Sequence, residues 1–217
     1  AVIEILGVAN MPIFYNKLIA FLKYENERLV MTTIKAIGTA TDPSMAQHII
    51  PFLAQKNYRP TVMEAFKLYG QQILPLLRST IQNREQPLSV LRFIPAAMQS
   101  FHSKDAMHHL LALLADNDLT VRLEVVRALS AIRATHPQLK FNRYKVVSVI
   151  FDECKLHHQT LSSMHTQIII SYRNRNKSKK EIGDAERDAR TSLLELLERR
   201  LDSGLERIFK LLGLRYH

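Results

Sequence analysis

The stretch Asp116-Asn-Asp-Leu-Thr-Val-Arg-Leu-Glu-Val-Val-Arg-Ala-Leu-Ser-Ala-Ile132 decides how the rest of the chain is read. Asp118 stands where a side-chain oxygen can accept the unpaired N–H groups of a first helical turn. Val121, Val125, Ala128, Leu129 and Ile132 follow at three- and four-residue steps, so they share one helix face. Asp116 and Asp118 look like a paired carboxylate, but their place ahead of an apolar stripe makes them turn and cap residues. The core of the stretch recurs upstream. Thr33-Ile-Lys-Ala36-Ile37, Val62-Met-Glu-Ala65-Phe66, Ile94-Pro-Ala-Ala97-Met98 and Val125-Val-Arg-Ala128-Leu129 align on their alanines, which are 29, 32 and 31 residues apart. Ile5-Leu6-Gly7 precedes Ala36-Ile37-Gly38 by 31 and reads as a truncated fifth unit. Between these segments lie partner helices ending in apolar pairs such as Phe21-Leu22, Phe52-Leu53, Leu76-Leu77 and Leu113-Leu114. Two helices per period of about 30 is the sequence form of an α-solenoid. The expected fold is all-α: a right-handed α-α superhelix over residues 1–140.

The punctuation agrees. Asn10-Met-Pro12, Thr41-Asp-Pro43, Lys56-Asn-Tyr-Arg-Pro60, Gln82-Asn-Arg-Glu-Gln-Pro87, Phe101-His-Ser103, Asp116-Asn-Asp118 and His136-Pro137 cut this region into helices of about 10–16 residues. Asp42 ahead of Pro43, Ser103 and Asp118 are the expected N-caps. No stretch alternates with period two, and 6 Gly and 8 Pro in 217 residues are too few for a loop-rich all-β chain. Hydrophobic residues at 47% suffice for a core. The single Cys154 allows no internal disulfide and favours a reducing compartment. No window reaches the about 18 apolar residues of a membrane span. The chain opens at Ala1 in helix-like sequence and is expected to be a piece of a longer polypeptide.

Residues 141–217 differ. From Asn142 to about Tyr172 one long helix is expected, with a seam at Val147, Phe151, Cys154, His158, Leu161, His165, Ile168 and Tyr172, stepping 4-3-4-3-4-3-4. A second helix from about Asp184 to Leu212 carries Leu193, Leu197, Leu201, Leu205, Ile208 and Leu212. A basic loop over 173–183 joins them, giving a long antiparallel hairpin that caps the solenoid as part of one continuous domain.

The net charge is +10. Residues 1–140 and 141–217 each carry 15 basic and 10 acidic residues, so positive charge is denser in the shorter C-terminal part. Its focus is Arg173-Asn-Arg-Asn-Lys-Ser-Lys-Lys180. Such a run suits polyanions, whether nucleic acid, anionic lipid headgroups or acidic protein faces, with Arg173, Arg175, Lys177, Lys179 and Lys180 as candidate anionic-lipid or polyanion contacts; the plainer reading is a solvated loop.

Residues 116–132 resemble a HEAT repeat of the short type. The resemblance implies that Asp118 opens the turn, that Arg122 ties adjacent units, and that Val121, Val125, Ala128 and Leu129 are packed; the earlier units match at the alanine but lack the arginine. The C-terminal stretch Leu201-Asp-Ser-Gly-Leu-Glu-Arg-Ile-Phe-Lys-Leu-Leu-Gly-Leu-Arg-Tyr216 is similar to the segment following the HEAT repeats in bacterial membrane proteins of the nucleotide (ATP:ADP) carrier-like or major-facilitator-like kind. Leu205, Glu206, Arg207, Ile208, Phe209, Leu211, Leu212, Gly213, Leu214 and Tyr216 carry that match. It implies the soluble part of such a protein, cytoplasmic at the inner face of the membrane, binding a protein partner or the rest of its own chain.

No catalytic constellation stands out. The glycines at 7, 38, 70, 183, 204 and 213 form no phosphate-cradling loop, and no G-x-S-x-G is present. Cys154 and His158 lie one turn apart, with His165 two turns further, which falls short of a tetrahedral ligand set. No metal and no cofactor is expected. Titration of His157, His158 and His165 near pH 6 would loosen the seam they are expected to occupy. The reading is therefore a non-catalytic interaction or regulatory module with a groove lined by Arg28, Lys35, Arg59, Lys67, Arg92, Arg122 and Arg127. The alternative is a nucleic-acid binder or a HEAT-like DNA glycosylase; those enzymes rely on groove aromatics, Trp prominently, and this chain has no Trp. A role like that of the bilin lyases rests on the repeat fold alone.

Overall fold

The structure, a computed structural model, describes residues 2–175 and 184–215. Helix is their regular secondary structure, with no strand among them. The chain divides into two compact units, Ala1–Leu139 and Lys140–His217.

The first unit contains α1 (Val2–Ala9), α2 (Tyr15–Phe21), α3 (Glu27–Ala40), α4 (Pro43–Ile49), α5 (Arg59–Tyr69), α6 (Leu74–Gln82), α7 (Leu88–Leu91), α8 (Ile94–Gln99), α9 (Lys104–Ala112) and α10 (Leu119–Thr135). Local chemistry sets the starts. Asp42 accepts from the Ser44 amide, Ser103 from Ala106, and Asp118 from Thr120 and Val121; Asn26 caps α3 through the Leu29 amide. Helices are shorter than expected where proline intervenes. The second helix of the third unit is split at Arg92-Phe93, because Pro95 sits in the first turn of α8 and begins a new helix there. Pro51 falls in a 3-10 turn over Ile50–Ala54, and Pro75 restarts α6 after another over Gly70–Ile73.

Consecutive second helices pack directly on one another: α1 on α3, α3 on α5, α8 on α10. The approach is close enough to exclude a methyl group. A Cβ at Gly7 would lie 2.5 Å from the Ala36 carbonyl oxygen, and one at Gly38 would lie 2.7 Å from the Ala65 Cβ. Ala36, Ala65, Ala97 and Ala128 are all buried, so the aligned small residues are contact points.

The backbone repeats independently of side chains. Thr41, Gly70 and His102 all have positive φ, at 54°, 64° and 45°, and each follows its unit's alanine by five residues. Asn10, at φ 43°, holds the same place after α1. Asn10 and Thr41 directly follow a helix, Gly70 caps α5 with ψ −155°, and His102 lies three residues beyond the end of α8. The fourth alanine, Ala128, has no such follower, and α10 runs on to Thr135. Side-chain ties span the same interval. Tyr69 Oη donates to the Ile37 carbonyl at 2.9 Å, Gln72 Nε2 to the Thr41 carbonyl at 3.4 Å, and the Arg84 guanidinium pairs with Asp116.

The second unit is α11 (Arg143–Arg175) and α12 (Asp184–Arg215), packed antiparallel. Arg207 Nε donates to Glu153 Oε2 at 2.8 Å, and a Cβ at Gly204 would lie 3.2 Å from His157 Nδ1. Progress along α11 thus matches regress along α12. The ion pair corrects the expected seam. Glu153 and Arg207 are each only 1% exposed, whereas Phe151 is 71%, Leu161 51% and Tyr172 67% exposed, and Cys154, His158 and His165 are also exposed. The inner line of α11 is Val146, Ile150, Glu153, His157, Thr160, Met164 and Gln167, with the expected rhythm turned by one residue, about 100°. On α12, Leu197 and Leu201 face inward as expected, but Leu193 and Leu205 face out, and Gly204, Arg207, Leu211 and Leu214 complete the buried line. His158 and His165, expected to loosen the seam on titration, lie outside it; only His157 is within.

Replacing Gly38 with Ala inserts a methyl group into the α3–α5 contact with no soft neighbour to yield. Gly38→Ala is expected to lower stability by about 1–3 kcal/mol in urea denaturation. Gly213→Ala, where nothing lies within 4 Å of the added Cβ, is expected to cost nothing.

Candidate functional site

The seven candidate groove cations lie on or beside the second helices, but in differing registers. Relative to the aligned alanines, Lys35 and Arg127 hold one equivalent position, immediately before Ala36 and Ala128. The other two units place Glu64 and Ala96 there, so this exposed line reads basic, acidic, neutral, basic. Arg59 and Arg122 share a second position, so the second unit does carry the arginine it was expected to lack; the remaining units have Val30 and Leu91 there, both buried. Arg28, Lys67 and Arg92 each occupy a position of their own and are exposed.

Arg59, Arg92 and Arg127 are among those engaged within the fold, the Arg92 guanidinium carbon lying 5.3 Å from the centroid of the adjacent Phe93 ring. Arg59 is half-buried: its guanidinium carbon stands 3.5 Å from the centroid of the Phe93 ring, and Nε donates to the Leu53 carbonyl at 2.7 Å. The stacked guanidinium ties α5 to the segment before α8. Arg127 Nη1 reaches Glu124 Oε1 at 2.9 Å. Arg122 is half-buried with a buried Nε. Arg28, Lys35, Lys67 and Arg92 are the four exposed cations that line α3, α5 and the α7–α8 junction. Of the C-terminal basic run, Arg173 and Arg175 belong to the last turn of α11, and Arg173 is exposed. Lys177, Lys179 and Lys180 lie outside the described residues.

Sequence reading missed a cleft between neighbouring pairs. A cavity of about 300 Å³ is lined by Arg84, Gln86, Leu88, Leu91, Asn117 and Asp118. Arg84 reaches Asp116 across it from a left-handed backbone, φ 54°. Asp116 also receives the Asp118 amide at 2.8 Å, and Asp118 caps α10, so the carboxylates here organise the turn. The one-period spacing of Arg84 and Asp116 was the available signal. Among the described residues no group of three or more His, Cys, Asp and Glu could hold a metal ion, and no helix is long and apolar enough to cross a membrane.

Titratable groups in the first unit are tuned by their settings. The Ser44 hydroxyl and amide donate to Asp42 Oδ1 at 2.6 and 2.8 Å, and Tyr15 Oη donates to Oδ2 at 3.1 Å; these donors hold the Asp42 carboxyl below its ordinary value. Burial, with Asp42 and Tyr15 nearby, raises Tyr69, whose hydroxyl stays a donor to Ile37. His109 is half-buried with an unpartnered Nδ1. Burial first, then Arg78 and His108, lower its pKa, while Asp105 opposes them.

Comparison with known proteins finds no family model that matches the chain and no curated protein that matches it.

The lowered His109 pKa has a signed consequence. The unfolded chain takes up the proton before the folded one, so this contribution to stability is complete above the ordinary imidazole value, about 6.5, and is lost as the pH falls below it. Urea midpoints at pH 7.5, 6.5 and 5.5 are expected to fall more steeply for the native sequence than for His109→Gln.

Proposed function

We propose that this chain is a non-catalytic interaction and regulatory module, a HEAT-like right-handed solenoid of helix pairs followed by a long helical hairpin. The observation that carries the reading is the repeat itself: helix pairs joined through small-residue contacts and through ties one period long. Stacked pairs of this kind present an extended surface of exposed side chains on a rigid frame, which suits a protein partner or another part of the same polypeptide. Arg28, Lys35, Lys67 and Arg92 are the residues best placed to meet an acidic partner.

The resemblance of residues 201–216 to the segment after the HEAT repeats of nucleotide-carrier-like membrane proteins supports a place at the inner face of a membrane, as the cytoplasmic part of such a protein. The deciding experiment is an immunoblot of fractionated source cells with an antibody to this chain. A band well above 25.0 kDa in the membrane pellet is the expected result. A soluble band near 25.0 kDa overturns the membrane assignment.

The basic run over residues 173–180 suits anionic lipid headgroups. Replacing Arg173, Arg175, Lys177, Lys179 and Lys180 with Ser is expected to reduce co-sedimentation with phosphatidylglycerol vesicles at least several-fold at about 0.1 M salt; unchanged binding removes the lipid role. The net charge of +10 favours a second reading, sequence-independent nucleic-acid binding. DNA affinity that falls steeply with salt would support it.

A further inference from the structure

The outer face of α11 differs from the exposed surface of α12 in its charge. From Leu156 to Tyr172 the helix carries no Asp, Glu, Lys or Arg over seventeen residues, in a chain of net charge +10. Along this face run Val147, Phe151, Cys154, His158, Leu161, His165, Ile168 and Tyr172. Val147 and Ile168 are half-buried and the other six are exposed, Phe151 and Tyr172 to 71% and 67%. Neighbouring α12 is different: acids and bases are spread along its described length, from Glu186 to Lys210. A helix that solvent alone covered would carry charge, as α12 does. A long apolar stripe at 4-3 spacing is the pattern that packs on another helix.

We propose that this face binds a second copy of the chain, with the two α11 helices antiparallel. The spacing 4-3-4-3-4-3-4 reads the same in both directions, so an antiparallel copy matches every position about a two-fold axis between His158 and Leu161. Val147 then meets Tyr172 of the other copy, Phe151 meets Ile168, Cys154 meets His165, and His158 meets Leu161. Aromatic and aliphatic groups close both ends of the contact, and each imidazole faces a thiol or a leucine. A parallel pair would set His158 on His158 and His165 on His165. Charge points to the same occupant. Two chains of +10 repel wherever their basic surfaces meet, whereas a neutral stripe about 37 Å long opposes its own copy without like-charge contact. An isologous two-fold contact needs this kind of self-complementarity.

Sedimentation velocity of the 217-residue chain across a concentration series tests the proposal. The expected mass is twice 25.0 kDa at high concentration, falling to 25.0 kDa for Phe151→Lys and for Leu161→Lys with unchanged far-UV circular dichroism. Leu196→Lys on α12, where Leu196 is 47% exposed, is expected to remain dimeric and so separates this face from general stickiness. Orientation is read by cross-linking with copper–phenanthroline as oxidant. The antiparallel register separates the two Cys154 residues by about 16 Å along the helix, too far for a disulfide, and brings Cys154 beside position 165 of the other copy. The native sequence is therefore expected to stay uncross-linked and His165→Cys to yield a covalent dimer. A chain that is monomeric at every concentration overturns the proposal. So does a native sequence that cross-links as readily as His165→Cys, which would mean parallel helices. A monomer that loses thermal stability on Phe151→Lys would assign the stripe to the chain's own first unit, and one that loses vesicle binding would assign it to lipid; either result also overturns it.

Discussion

The first unit depends on how near two helices can come. Where α3 crosses α5 the space between Gly38 and Ala65 is smaller than one methyl group, and α1 meets α3 in the same way at Gly7 and Ala36. Backbones at that distance gain dispersion contacts along both helices and leave no room for sliding. The rest follows. The neighbouring pair is held so near that Tyr69 reaches the Ile37 carbonyl and Gln72 the Thr41 carbonyl. Residues of positive φ after the helices turn the chain back in time for the next pair.

The second unit rests on one buried charge pair. Two cationic and anionic side chains removed from water are costly unless they meet, and here Glu153 and Arg207 meet at 2.8 Å with Ser203 Oγ 3.2 Å from the guanidinium. Such a pair adds little net stability, but it penalises other alignments heavily. Sliding α12 by one turn would part Glu153 from Arg207 and leave the buried charges uncompensated by each other. Register is therefore fixed chiefly by electrostatics in the hairpin and by sterics in the repeats.

That difference explains what could be read from the amino acids. Caps at Asp42, Ser103 and Asp118 were legible because each acts on an amide two or three residues away. The small-residue positions were legible because they recur. The hairpin seam was not, because α11 carries two stripes of identical rhythm one residue apart, and the more apolar of them is the outer one. Apolarity alone selects Phe151 and Leu161; the choice of Glu153 is made by Arg207, 54 residues away. Among the candidate cations the exposed Arg28, Lys35 and Lys67 could not be told from the stacked Arg59 in the sequence. Phe93, which engages Arg59, lies in a neighbouring helix pair.

The acceptors in two of the ties between helix pairs are backbone carbonyls, at Ile37 and Thr41. A carbonyl is supplied by every amino acid. Substitution at the accepting position can therefore proceed freely as long as its size suits the packing, while only the donor, Tyr69 or Gln72, is held to a particular chemistry. Architectures joined in this asymmetric way can lose most of their lettering over long descent and still keep their shape.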